Sequence, residues 1–347
     1  AEGGTAALLA GNKVTLTLNG NRLIKYSIDE GSLDAMVQNN TVIKAAEGVV
    51  ILSAKALDTI SKSVVNNSGL IEAKGITEVG GKIILDAEGG ATTNTGKLDV
   101  SSPLVIGGSI RVTGDEVAIK SGSALLATGN EGGGEILVGG SWQNSDTSVR
   151  QSLNTTVESG ALLDASAIST GDGGTIVAWS DVHSSGATTY FDGQAISMGG
   201  ALSGNGGRVE TSGNSLILGG NLAVNTAALN GETGQYLIDP YNITIYDSSS
   251  SVVNTNVSIT NASGNVNASG NSSRVGNTTI NSLLNTTNVN ISTGGVVVTA
   301  AAQSGTYTWS RTSNATSTKV NLNNQTLNVT TDADIGTAGL RLCTWSN

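Results

Sequence analysis

The chain has 347 residues, with 47 Gly, 2 Pro, 13% charged and 3% aromatic residues, and a net charge of −10. Gly stands at about twice its usual share and Pro well under a fifth, without collagen's period, and the charge is too low for an intrinsically disordered chain. An acidic chain has no electrostatic reason to bind nucleic acid; a single Cys excludes an internal disulfide and a cysteine metal site, and a single His leaves almost no raw material for a multi-histidine metal site or a histidine-relayed catalytic pair.

The first residues, AEGGTAALLAGNKV, hold neither a basic segment nor a long apolar one. They suit an intracellular chain, or a trimmed piece of an exported one. Residues 29–37 and 54–65 carry helical spacing. In the second, Ser53 stands as N-cap and Leu57, Ile60 and Val64 share one face. The sequence therefore predicts one or two short helices near the N-terminal end.

From residue 80 a Gly-Gly pair recurs ahead of a polar and then a β-branched residue. It reads Gly80-Gly81-Lys82-Ile83, Gly107-Gly108-Ser109-Ile110, Gly133-Gly134-Glu135-Ile136, Gly173-Gly174-Thr175-Ile176 and Gly206-Gly207-Arg208-Val209, at spacings of 27, 26, 40 and 33 residues. Short alternating runs such as Ser109-Ile110-Arg111-Val112 lie between. This predicts an all-β chain folded as a right-handed parallel β-helix, each turn carrying three short strands with Ile, Val, Leu and Ala inward. At roughly 20–25 residues per turn the chain makes about 14–17 turns, a rod of roughly 70–80 Å. An antiparallel sandwich fits less well, since Asn-Gly hairpin signals are isolated and core aromatics few.

The segments from Gly11-Asn12-Lys13-Val14 to Asn66-Asn67-Ser68-Gly69-Leu70-Ile71, and Gly173-Gly174-Thr175-Ile176-Val177-Ala178-Trp179, and Tyr236-Leu237-Ile238-Asp239-Pro240, resemble filamentous haemagglutinin-type exoproteins. These are large bacterial adhesins exported by two-partner secretion. The resemblance covers most of residues 1–245. It implies a β-helical rod, secretion to the bacterial surface through an outer-membrane two-partner secretion transporter, and adhesion. The family's amino-terminal secretion domain carries Asn-Pro-Asn-type motifs. None occurs here, so that domain is expected to be missing.

Two regions differ in charge: residues 1–240 sum to −11 and residues 241–347 to +1. The first reads as an acidic Gly-rich β-helix, the second as an Asn/Ser/Thr-rich continuation. Eleven N-x-S/T sequons fall in the second, at Asn242, Asn256, Asn261, Asn267, Asn271, Asn277, Asn285, Asn290, Asn314, Asn324 and Asn328. They are candidate glycan acceptors, although turn ladders and solvated strand faces also use Asn and Thr. Cys343 is a candidate intermolecular thiol or a buried one.

An enzymatic alternative is a polysaccharide lyase or hydrolase, since such chemistry needs facing carboxylates or an acidic metal cluster with a base. The raw material is Asp164, Asp172, Asp181 and Asp192, with Arg150, Lys120 and His183. Most of these acids stand beside turn residues, where Asp caps its own backbone. Trp142, Trp179, Trp309 and Trp345 are candidate carbohydrate platforms or strand residues. No catalytic residue, cofactor or metal is assigned. The expected work is a structural and adhesive rod that displays binding surface toward a host-cell, matrix or bacterial receptor or glycan, with end-to-end self-association into a fibre through an unpaired terminal turn.

Overall fold

A computed structural model describes residues 3–19, 22–58, 60–75, 80–241, 243–246, 257–259, 266–268, 273–291, 307–309 and 327–329. The chain winds into a parallel β-solenoid of about 7 turns. Each turn has three faces. The first face stacks Val49–Lys55, 82–87, 109–114, Glu135–Val138, Thr175–Trp179, Arg208–Gly213, Gln235–Pro240 and Asn288–Ile291, all parallel. The second face runs from Met36–Asn39 through Ser63–Asn67, Asn154–Val157 and Thr188–Phe191 to Ser215–Leu218. The third is a seven-stranded sheet from Val42–Lys44 to Ala223–Asn225.

Alternation explains the core. On the first face Ile83, Leu85, Ile110, Val112, Ile136, Val138, Ile176 and Ala178 point inward and are fully buried. On the third, Ile71, Leu98, Leu125, Leu163 and Ala195 form one column. Residues one period of two apart occupy the same face of a strand, so each column adds a like side chain at every turn.

Turn length departs from expectation. Starting points on the first face, from Val49 to Asn288, are 33, 27, 26, 40, 33, 27 and 53 residues apart. Each Gly-Gly interval is one turn, and the expected roughly 20–25 residues per turn is too short because the corner loops add to the three strands. At about 4.8 Å between strands, seven turns span roughly 34 Å rather than 70–80 Å.

The predicted N-terminal helices are absent. Residues 29–37 end the strand Arg22–Glu30 and begin the strand Met36–Asn39. Residues 54–65 divide between Val49–Lys55 and Ser63–Asn67. Leu57 and Ile60, the supposed buried stripe, are exposed. Tertiary pairing of the β-branched runs Val49-Val50-Ile51 and Val64-Val65 overrides a weak local preference. A short helix occurs instead at Asn277–Leu283. Beyond residue 240 the strands cease to follow chain order, because Ser273–Gly276 pairs with both Ser215–Leu218 and Ile243–Tyr246.

Two polar devices sit inside the rod. Asn39 Nδ2 donates to Asn67 Oδ1 and Asn67 Nδ2 to Asn94 Oδ1, each at 2.7 Å, making a buried amide ladder. Thr92, Thr155 and Thr189 turn their hydroxyls onto the carbonyls of Thr113, Trp179 and Ser212, at 2.6, 2.6 and 2.7 Å. Each of these carbonyls lies near the end of a first-face strand, so the hydroxyl satisfies an acceptor at the corner. Asn67→Ala breaks both ladder bonds and strands the amides of Asn39 and Asn94. It is expected to cost about 2–3 kcal/mol, seen as a lower denaturant midpoint. An unchanged midpoint would show that the ladder contributes nothing.

Candidate functional site

The Gly-Gly pairs stack at the corner where the third face returns to the first. There the backbones of successive turns approach so closely that a side chain is excluded. A Cβ on Gly134 would fall on the carbonyl oxygen of Gly108, and one on Gly174 on that of Gly134. With no side chains in the way, the corner leaves a groove of about 480 Å³. Its polar lining includes Asp172, Asn205, Arg208, Glu232, Gln235 and Asn288.

Each turn positions the next. Asp172 Oδ1 accepts from the Asn205 N–H at 2.7 Å, and Asn205 Oδ1 accepts from the Glu232 N–H at 2.9 Å. Asn290 Nδ2 donates to Gln235 Oε1 at 2.7 Å. The Gly N–H groups of the corner are spent inside the rod: Gly173 on Asn205 O, Gly174 on Ala165 O, Gly206 on Glu232 O, Gly207 on Ser197 O and Gly234 on Thr226 O.

Beside the groove, the chain leaves the rod between Glu135–Val138 and Asn154–Val157, which explains the 40-residue interval. This strap covers the outer side of the first face. Val149 packs with Leu137, Val177, Trp179 and Val182 in a second small apolar cluster, with Trp142 and Tyr241 against it. Gln143 and Asn144 hold left-handed backbone (φ 46° and 50°), a costly conformation for residues with side chains. The Gln143 N–H donates to Glu210 Oε2 at 2.8 Å and Ser212 Oγ to Glu210 Oε1 at 2.7 Å. Arg208 lies over Trp142, 4.4 Å from the ring centroid, and its Nε donates to Thr175 Oγ1 at 2.9 Å.

Glu210 and Asp239 are both fully buried, on neighbouring strands. Burial pushes the Glu210 carboxyl up to about 8. The charge of Asp239 adds to this, while the bonds from Gln143 and Ser212 and the charge of Arg208 oppose it. Glu210 is therefore mostly protonated at neutral pH, the usual response of a carboxyl denied water. Nothing in the sequence marks it, because Val209-Glu210-Thr211 reads as an ordinary strand with its acid toward solvent.

The sequence-derived acids do not assemble into a catalytic set. Asp164 accepts from the Ser166 N–H and Asp181 from the His183 N–H, each at 3.0 Å, which are local turn caps. Asp172 and Asp192 cap the next turn, at Asn205 and Asn221. Arg150 pairs with Asp86 and Glu88, and Lys120 with Glu158. His183 is exposed in a loop. Among the described residues no three His, Cys, Asp or Glu side chains group as a metal site. Trp179 is buried beneath the strap, with Nε1 donating to Gln151 Oε1 at 3.0 Å, so it is no exposed platform.

Of the sequons, Asn285 is exposed in the turn after Asn277–Leu283 and Asn290 is half-buried in Asn288–Ile291. Asn267, Asn277 and Asn328 fall in the elements Val266–Ala268, Asn277–Leu283 and Leu327–Val329, their side chains outside the description. Asn242, Asn256, Asn261, Asn271, Asn314, Asn324, Cys343 and Trp345 lie outside the described residues.

This geometry has a counterpart among solved structures. The chain is similar to the HMW1 secretion domain from Haemophilus influenzae, with a TM-score of 0.52 and 26% identity. The match covers 66% of this chain and 57% of that one, so it spans less than two thirds of the solved domain. No family model and no curated protein matches. The likeness supports the fold of a two-partner secretion exoprotein, not the filamentous haemagglutinin in particular. The likeness is to part of a secretion domain, although the Asn-Pro-Asn phrase expected of such a domain is missing from this sequence. That neighbour is not an enzyme, and nothing in the described residues favours the lyase or hydrolase alternative.

Proposed function

We propose that this chain is the export module and first rod segment of a secreted bacterial exoprotein, delivered by an outer-membrane two-partner secretion transporter. The observation that carries the reading is the likeness to a secretion domain at 26% identity over 66% of the chain. The lack of any possible internal disulfide suits a chain that crosses membranes unfolded and folds outside. Residues 1–240 form the acidic rod of this reading and residues 241–347 its Asn/Ser/Thr-rich continuation. The chain then works without catalysis, cofactor or metal, as a scaffold that displays adhesive surface to a cell, matrix or bacterial receptor.

Two finer parts of the reading have their own support. Exposed Asn285, followed by Thr286 and Thr287, is the best-placed glycan acceptor. Intact mass of natively sourced protein should exceed that of the polypeptide, and equality sinks this part. End-to-end association is supported by the edges of Met36–Asn39 and Val42–Lys44, where Met36 and Val42 are exposed and no further strand pairs among the described residues. Cys343 is the corresponding candidate for an interchain disulfide.

Export is tested by expressing the chain behind a cleavable signal peptide, with and without a two-partner secretion transporter. The chain should reach the medium only when the transporter is present. Equal retention in the periplasm in both strains would overturn the export reading.

A further inference from the structure

We propose that the corner groove is a binding site for a neutral oligosaccharide, with Arg208 and Gln235 as its principal contacts. Four turns contribute to it, at Thr175, Arg208, Gln235 and Asn288. Three steps of about 4.8 Å give a length of roughly 14 Å, and the volume of about 480 Å³ falls within the range of small-ligand sites.

The lining selects the ligand class. Its side chains end in amides, carboxylates, hydroxyls and one guanidinium, with no Val, Leu, Ile or aromatic residue among them. Such a set offers donors and acceptors in alternation, which suits hydroxyl-rich ligands whose groups both give and take hydrogen bonds. An extended peptide would need backbone partners, and the corner N–H groups are already bonded within the rod. An anionic ligand is disfavoured because Asp172 and Glu232 flank the single cation Arg208.

Arg208 is the organised element. Its plane is fixed by the Trp142 ring on one side and by the bond from Nε to Thr175, which leaves its terminal amino groups for a ligand. Holding that side chain in advance removes much of the entropy cost of ordering a long flexible residue on binding. Trp142 is held in turn by the strap, through the bond from the Gln143 N–H to Glu210. The strap therefore positions the guanidinium, and Trp142 acts through Arg208 rather than on the ligand.

The site goes beyond the export reading and is tested apart from it. Purified full-length chain is applied to an array of neutral oligosaccharides of three or more sugars, sialylated and sulfated oligosaccharides, and extended peptides. Retention of at least one neutral oligosaccharide is expected. Arg208→Ala should weaken it about tenfold or more, as for loss of a charged hydrogen-bonding group. Gln235→Ala should weaken it several-fold, and Trp142→Ala should fall between wild type and Arg208→Ala. Arg208 and Gln235 are not core residues, so melting curves of these variants should match the parent. If a variant melts early, the other reports. No neutral oligosaccharide retained, retention untouched by both Arg208→Ala and Gln235→Ala, or retention confined to anionic glycans or peptides would each overturn the proposal. Export through the transporter does not enter this assay, so the two readings fail separately.

Discussion

Gly134→Ala is expected to destroy the cooperative melt of the rod, although it adds one methyl group. The new Cβ would fall on the carbonyl of Gly108, which belongs to the preceding turn. Neither backbone can give way. Gly134 N–H is bonded to Ala127 O at 2.7 Å, and the Glu135 N–H to the Gly108 carbonyl itself at 2.9 Å. Separating the turns breaks the ladders on both sides and opens the core around Ile110 and Ile136. The loss should exceed about 4 kcal/mol, in the range reserved for overpacking with no room to relax. Gly220→Ala is the control, since a Cβ there meets nothing within 4 Å and the backbone is not left-handed. Thermal melting by circular dichroism reads both. A Gly134→Ala melt within a few degrees of the parent would refute the close-packed corner.

The second large effect is a loss of stability with rising pH. The folded-state pKa of Glu210 lies above its ordinary value of 4.5, at about 8. The folded chain thus holds a proton that the unfolded chain releases. Its contribution is complete below about 4.5, falls as pH rises, and is gone above about 8. The total is on the order of 5 kcal/mol. Asp99, held down by Ser101 and Lys97 against its own burial, acts oppositely and weakens the fold in acid. Glu210→Gln keeps an acceptor for the Gln143 N–H but cannot ionise. Its melting temperature should stay flat between pH 5 and pH 8, where the parent declines by roughly 5–10 °C. Parallel slopes for the two proteins would show that Glu210 is not the titrating group.

Much of the architecture was legible because turn geometry is written in residue types. The five Gly-Gly pairs all stand immediately before first-face strands. Gly marks them because only Gly fits where two backbones meet. The number of turns was misjudged because corner loops, which carry no periodic signal, take up a large part of each one. The helices at 29–37 and 54–65 failed for another reason. Apolar residues at helical spacing were satisfied by strand pairing, with Leu57 and Ile60 left in water.

The candidate site was mostly hidden. Trp142 and Arg208 are 66 residues apart and meet only because the strap folds back over the first face. The one signal was the 40-residue interval among intervals of 26, 27 and 33, which announced extra chain without saying where it lay. Glu210 had no signal at all. Its burial depends on the strap above it, and strand alternation alone assigns it to solvent.

The direction of the hydrogen bonds has a mechanical consequence. Bonds between turns run along the rod, so tension applied end to end loads the outermost turn first and peels turns off singly. A turn of 26 residues, at about 3.4 Å per residue, yields roughly 90 Å of slack when it opens. A turn of 40 residues yields roughly 136 Å. Under a steady pull the rod extends in discrete steps of unequal length, and the step that releases the strap is longer than those of the turns on either side of it.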